Sequence, residues 1–176
     1  MARIDLMTSQ SDDPVVSNVF GEIEAAFGKV PNLFRTYAHH PPLLQANWEK
    51  VKAVMMGANL RRIVKETIAV LVSKDNSCSY CVAAHTASLQ ALGMEAEQIA
   101  ALEKDLQSYD FTGKEQLLIE FARKANLDPL RISDATFLAL RDAGATGGEI
   151  VEALGVMEVF TSFNKFLDSL QVDIDF

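Results

Sequence analysis

From Pro14 onward the apolar residues return at three- and four-residue steps and almost nowhere alternate. That period places side chains on one face of an α-helix, whereas a strand requires a period of two. Val15, Val16, Val19, Phe20, Ile23 and Phe27 set the pattern. They lie between Asp13-Pro14, a helix start with proline at the first helical position, and Gly28, which ends the run. A short piece from Pro31 to His39 is stopped by Pro41-Pro42, which open a helix from Leu43 to about Met56. Gly57-Ala58-Asn59 breaks that helix. Leu60 to Ser73 is helical with a nearly all-apolar second half, Ile68 to Val72, the pattern of a central, buried helix. Asp75-Asn76-Ser77 supplies a turn and an N-cap cluster, so the next helix begins at Cys78 and runs to Leu92-Gly93.

Glu95 to Gln107 reads as a further helix. Thr112-x-x-Glu115 and Thr146-x-x-Glu149 have the capping-box form, each ahead of an apolar helical run. Gly147-Gly148 is a helix start rather than a phosphate loop. The expected fold is all-α, a single-domain helical bundle over residues 1–176. A weak internal similarity has two readings, an internal helical repeat or the ordinary likeness of one helical hairpin to another. Lys65-Glu66 begins helix, turn and helix up to Gln98–Leu102, and Lys114-Glu115 begins a similar order up to Glu149–Leu154. Only the first copy carries cysteine.

Charge excludes several partners. The net charge is −8, and no run of Lys and Arg exists to neutralise phosphates, so neither nucleic acid nor an anionic membrane is expected. No stretch approaches the ~18 consecutive apolar residues of a membrane span, and Met1-Ala2-Arg3-Ile4-Asp5 lacks the apolar core of a signal peptide. Two cysteines do not make a disulfide scaffold; in a reducing cytosol a close pair is catalytic, sensing or metal-bound. The chain therefore reads as cytoplasmic.

Both cysteines lie in Cys78-Ser79-Tyr80-Cys81, with His85 four residues on. On a helix, positions 78, 81 and 85 share one face. Cysteines one turn apart can close a disulfide, and a helix N-terminus favours thiolate over thiol, most of all at Cys78. His85 can take a proton from Cys81. Glu66 lies twelve residues before Cys78, and the Asp75–Ser77 turn brings the two helices back antiparallel, so its carboxylate can orient His85. Zinc is the metal alternative, with Cys78, Cys81 and His85 as ligands and Glu66 or water as a fourth. Structural zinc sites draw ligand pairs from two separated segments, which this chain lacks, so no metal is assigned. Two plain readings remain: both thiols packing as small apolar groups, and Glu66 pairing with Arg62 or Lys65 in solvent. His39-His40 has a structural reading at a helix end, and Trp48, Met55 and Met56 read as core. Phe160, Phe163 and Phe166 form a stripe that suits core, subunit contact or pocket wall equally.

The spacing Glu-x11-Cys-x2-Cys-x3-His, from Glu66 to His85, resembles the alkyl hydroperoxidase D and carboxymuconolactone decarboxylase superfamily. Leu60-Arg61-Arg62 leading into Lys65-Glu66, Val30-Pro31-Asn32-Leu33-Phe34, and Phe163-Asn164 look like its peroxidase-related branch. The likeness runs from about residue 14 to residue 170. It implies an alkyl hydroperoxidase D-like helical fold assembled as homotrimers or hexamers. It also implies attack on peroxide by Cys81, resolution by Cys78, and a proton relay of Glu66 and His85. No bound cofactor is implied; a dihydrolipoyl group on a partner protein would reduce the disulfide. The cysteine pair weighs against lactone decarboxylation, which the superfamily's true decarboxylases carry out without it. Where some members place a relay histidine between the cysteines, this chain has Tyr80.

The expected activity is a thiol-dependent peroxidase. The alternatives are a general protein disulfide reductase and a non-enzymatic redox sensor. A homo-oligomer is expected because Leu154, Val156, Met157, Val159, Phe160, Phe163, Phe166, Leu167 and Leu170 spread around more than half of one helix, more than a single stripe needs.

Overall fold

The computed structural model describes residues 2–8, 11–57 and 59–176. Among them are nine α-helices and two short 3-10 turns, with no strand. The α-helices are α1 (Pro14–Phe27), α2 (Asn32–Tyr37), α3 (Pro41–Met55), α4 (Arg62–Asp75), α5 (Ser79–Ala91), α6 (Ala96–Ala101), α7 (Gly113–Leu127), α8 (Asp134–Asp142) and α9 (Gly147–Leu170). The all-α expectation holds, and so do most of its boundaries. Asp13 caps α1 by accepting from the Val15 and Val16 amides at 2.8 and 3.2 Å. Gly28 ends the helix at φ +76°, a left-handed turn that glycine enters without strain. Both capping boxes form, Thr112 with Glu115 and Thr146 with Glu149. Of the expected break at Gly57-Ala58-Asn59, Ala58 lies outside the described residues.

Four expectations need correction. The helix expected over Glu95–Gln107 ends at Ala101, where the Lys104 amide closes a tighter three-residue turn on the Ala101 carbonyl. A 3-10 turn, Leu106–Ser108, follows, capped by Asp105. The Asp75–Ser77 cluster does not cap α5 either. Asp75 ends α4 and is held by Arg123 at 2.6 and 2.7 Å, while Ser77 takes φ +61° and Cys78 itself is the N-cap. His40 caps α3 at its start by accepting from the Leu43 amide, rather than meeting carbonyls at a helix end. Trp48 and Met55 are core, but Met56 is half-exposed.

Helix α4 is the axis of the bundle. Every residue from Ile63 to Ser73 is buried, and α4 packs on α5, α7 and α9. Its β-branched residues have only modest helix propensity, so burial on all sides, not local preference, holds the helix. The apolar residues of α9 find most of their cover within the chain. Val156, Val159, Phe160, Phe163 and Leu167 are buried, and Leu154, Met157, Phe166 and Leu170 are half-buried. The two halves of the suspected repeat share an order of helix, hairpin and helix, although α6 has 6 residues and α9 has 24.

Two adjacent charges lie in the middle of this apolar axis. Lys65 pairs with Glu152 of α9 and donates to the Gly57 carbonyl at 2.5 Å, all with Lys65 fully buried. Removing one partner of a buried pair costs more than replacing both. Glu152→Ala should therefore lower the unfolding free energy by about 3 kcal/mol, and the double variant Lys65→Met/Glu152→Leu by clearly less. Urea unfolding followed by circular dichroism checks this; equal losses would contradict it.

Candidate active site

Antiparallel pairing of α4 and α5 starts from the Cys78 amide, which donates to the Ser73 carbonyl at 2.9 Å. Two turns into α5, His85 then stands level with Glu66 of α4. The Glu66 carboxylate is fully buried and spends both oxygens. Oε2 meets His85 Nδ1 at 2.6 Å, and Oε1 takes Nε and a terminal nitrogen of Arg62, each at 2.6 Å. Burial by itself would push this carboxyl up. The charges and hydrogen bonds of His85 and Arg62 outweigh it and hold Glu66 below the ordinary carboxylate range. An ionised Glu66 accepts, so Nδ1 carries the hydrogen and Nε2 is the nitrogen left for exchange. Phe160 stands edge-on to the imidazole at 4.2 Å and fixes its plane. The plain reading of Glu66 as a solvated ion-pair partner is corrected: Arg62 does meet it, but the carboxylate is fully buried, holds His85 as well, and Lys65 pairs elsewhere.

Cys78 and Cys81 are 3.8 Å apart, reduced and buried. They differ in two ways. Cys81 lines a cavity of about 130 Å³ together with Glu66, His85, Phe34, Phe160 and Phe163, whereas Cys78 does not reach it. The second difference is acidity. The hydrogen bond from Cys81 lowers the Cys78 thiol below the usual cysteine value, whereas the same bond, then burial, pushes the Cys81 thiol up. The more acidic thiol is thus the one at the helix start, and the accessible thiol is the one a turn later.

Sequence reasoning left Asn164 as a supporting match, yet it sits behind the thiols. It is fully buried, donates to Ser73 Oγ at 3.0 Å and accepts from Asn76 at 3.0 Å. Its side-chain amide also favours the thiolate at Cys81. A buried asparagine this far along the chain carries no spacing signal toward Cys81. Tyr80 lines the same cavity, but its hydroxyl is engaged elsewhere. Its hydroxyl donates to Asp175 at 2.7 Å, and burial pushes the phenol up, so it stays a donor and is no substitute base. Of the aromatic stripe, Phe160 and Phe163 form cavity wall and Phe166 stacks on Tyr37 at 3.8 Å. Among the described residues no group of three or more His, Cys, Asp and Glu is arranged to hold a metal ion.

Residues 42–124, which include Glu66, both cysteines and His85, match the Carboxymuconolactone decarboxylase family. An alkyl hydroperoxide reductase of Mycobacterium tuberculosis is 30% identical over 87 residues, which cover 49% of this chain and 25% of that protein. The chain thus aligns with only a quarter of that relative's length. A peroxidase-related protein from Silicibacter superposes with a TM-score of 0.85 at 23% identity, over 99% of this chain and 92% of the other. An alkylhydroperoxidase-core, peroxidase-related protein from Ralstonia eutropha gives 0.84 at 24% identity, over 99% and 92%. At these identities the two structures speak to the fold. The match spans the Glu66–His85 spacing on which the resemblance rests.

The thiol order has a direct test. Cys81→Ala removes the hydrogen bond that lowers Cys78 and leaves burial to raise it. Thiolate absorbance at 240 nm should then appear at higher pH in the variant than in the reduced parent. The same or a lower titration midpoint would contradict the assignment.

Proposed function

We propose that the chain is a thiol peroxidase in which Cys81 attacks the peroxide, Cys78 resolves the product, and Glu66 with His85 handles protons. One observation carries the reading: Cys81, and not Cys78, opens onto the cavity that also holds the Glu66–His85 pair, with the second thiol 3.8 Å away. The alkyl hydroperoxide reductase relative supports the same chemistry for the part of the chain it matches.

Cys78 is the thiol of the pair that ionises first, and the reaction starts when the Cys81 proton passes to the Cys78 thiolate. The Cys81 sulfur then attacks one peroxide oxygen, and the O–O bond breaks. Its electron pair leaves with the alkoxide, which takes a proton from His85 Nε2, and Cys81 is left as a sulfenic acid. Cys78 attacks the Cys81 sulfur next. The S–O bond breaks, hydroxide leaves as water with the Cys78 proton, and a disulfide remains. A dithiol, for which a dihydrolipoyl group on a partner protein is the proposed source, returns two electrons and two protons. Glu66 keeps Nε2 of His85 turned to the cavity and offsets the charge that His85 carries.

Geometry weighs against the general disulfide reductase: both sulfurs are buried, and a cavity of about 130 Å³ does not admit a protein disulfide. A sensor needs no proton relay beside its thiol. The proposal includes assembly as a homo-oligomer of three or six copies, supported by apolar side chains left exposed at Leu127, Leu130, Leu138 and Val151. A cytoplasmic setting is proposed from the thiol pair. No helix of the described residues is long and apolar enough to cross a membrane.

Cys81→Ser should abolish peroxide consumption. Cys78→Ser should consume one equivalent and hold a sulfenic acid at Cys81, seen by mass after dimedone trapping; trapping at Cys78 in Cys81→Ser would reverse the roles. Glu66→Gln should fold but slow thiol oxidation about tenfold to a thousandfold, the contribution of a general acid–base partner. An unchanged rate would leave Glu66 as an ion-pair partner of Arg62 alone. Light scattering should return a multiple of 19.3 kDa, and a clean monomer would remove the oligomer from the account.

A further inference from the structure

Residues 172–176 carry Phe176 to the wall of the Cys81 cavity from outside the helical core. Helix α9 is capped by Gln171 at φ +51°, and the chain then runs without regular structure back across the starts of α2 and α5. One carboxylate carries most of the anchoring. Asp175 Oδ1 accepts from the Tyr80 hydroxyl at 2.7 Å, and Oδ2 accepts from the Asn32 amide at 3.2 Å and faces Lys29 Nζ at 3.4 Å. Asn32 also donates from its side chain to the Asp173 carbonyl at 3.0 Å. Phe176 follows, edge-on to Tyr80 with ring centres 5.4 Å apart and under the Lys29 ammonium at 4.3 Å, and it lines the same cavity as Cys81 and His85.

The hold is polar. Val172 is buried, but Ile174 and Phe176 are about half-exposed, so little apolar burial resists movement of the segment beyond residue 172. With the segment in place the cavity measures about 130 Å³. An engineered apolar cavity of ~150 Å³ is filled by benzene, so this space suits a small molecule and not a bulky one.

We propose that residues 172–176 are a strap that sets the size of molecule able to reach Cys81, with Phe176 as the specificity-determining wall and the Tyr80–Asp175 hydrogen bond as its latch. Small peroxides enter past the closed strap. Bulkier ones reach Cys81 only when the latch opens and Phe176 swings out. Tyr80 thereby has a task at the centre of the C-x-x-C motif other than proton transfer. The strap rests on Cys81 being the reacting thiol, so its test includes an arm that needs no peroxide.

In a Cys78→Ser background, Cys81 is modified with methyl methanethiosulfonate or with N-(1-pyrenyl)maleimide, and both rates are read by mass spectrometry. Phe176→Ala and Tyr80→Phe are each added to that background; residue 176 lies outside the core, and Tyr80→Phe keeps the ring. Tyr80→Phe should raise the pyrenyl rate about tenfold, the weight of one hydrogen bond to a charged group, Phe176→Ala should raise it at least as much by removing the wall itself, and both should leave the small reagent within about twofold. No change, or an equal change with both reagents, overturns the strap. With the cysteine pair intact, the same variants should raise kcat/KM for cumene hydroperoxide relative to hydrogen peroxide. A protein that shows size-selective labelling but consumes no peroxide keeps the strap and loses the peroxidase reading. Peroxide turnover with one labelling ratio in all variants does the reverse.

Discussion

Glu66 is an ionised carboxylate at the centre of a helix buried on every side, and the site is built around how that charge is met. Left alone, such a group would be neutralised or the fold would open, because the desolvation of an isolated charge is far larger than net protein stability. Here His85 and Arg62 divide its two oxygens. Lys65, the preceding residue, faces a different neighbour and meets Glu152 of α9. Successive helical residues point about 100° apart, so the pair Lys65-Glu66 sends one charge toward α9 and the other toward α5. The helix that carries Glu66 is thus keyed by charge to both neighbours. A rotation or slip of α4 would strand two buried charges together.

That fixed register also sets the two thiols apart. Acidity and access point to different sulfurs. The helix start and the hydrogen bond from Cys81 favour negative charge on Cys78, while the cavity and the imidazole lie on the Cys81 side. A single thiol would need both properties at once. A pair 3.8 Å apart can store the charge on one sulfur and present the other, with one proton transfer between them.

Much of this was legible in residue order. Helix starts at Asp13-Pro14, Thr112 and Thr146 were readable because each is a local contract between a side chain and an amide a few residues on. The Glu66–His85 pairing followed from one turn and one helical period. Contacts that join distant segments left no such trace. Nothing about Glu152 or Asn164 in sequence marks it as buried, and a charged residue on a helix ordinarily faces water. Lys65 belongs to the same class. Residues 172–176 have no periodic pattern, and the role of Asp175 emerges only when α9 ends beside Tyr80. The broken helix after Ala101 shows the opposite error, an apolar period carried further than the backbone hydrogen bonds allow.

The central claim is a repeating dithiol–disulfide cycle at Cys78 and Cys81 rather than a single oxidation. Its most direct test is steady-state consumption of an organic hydroperoxide by the protein with dihydrolipoamide in excess, sampled by mass spectrometry during turnover. The account predicts many equivalents of peroxide consumed per chain, with an intramolecular Cys78–Cys81 disulfide, two hydrogens lighter than the reduced peptide, as the accumulating form. Consumption that stops at one equivalent, or an accumulating disulfide between chains, would contradict it.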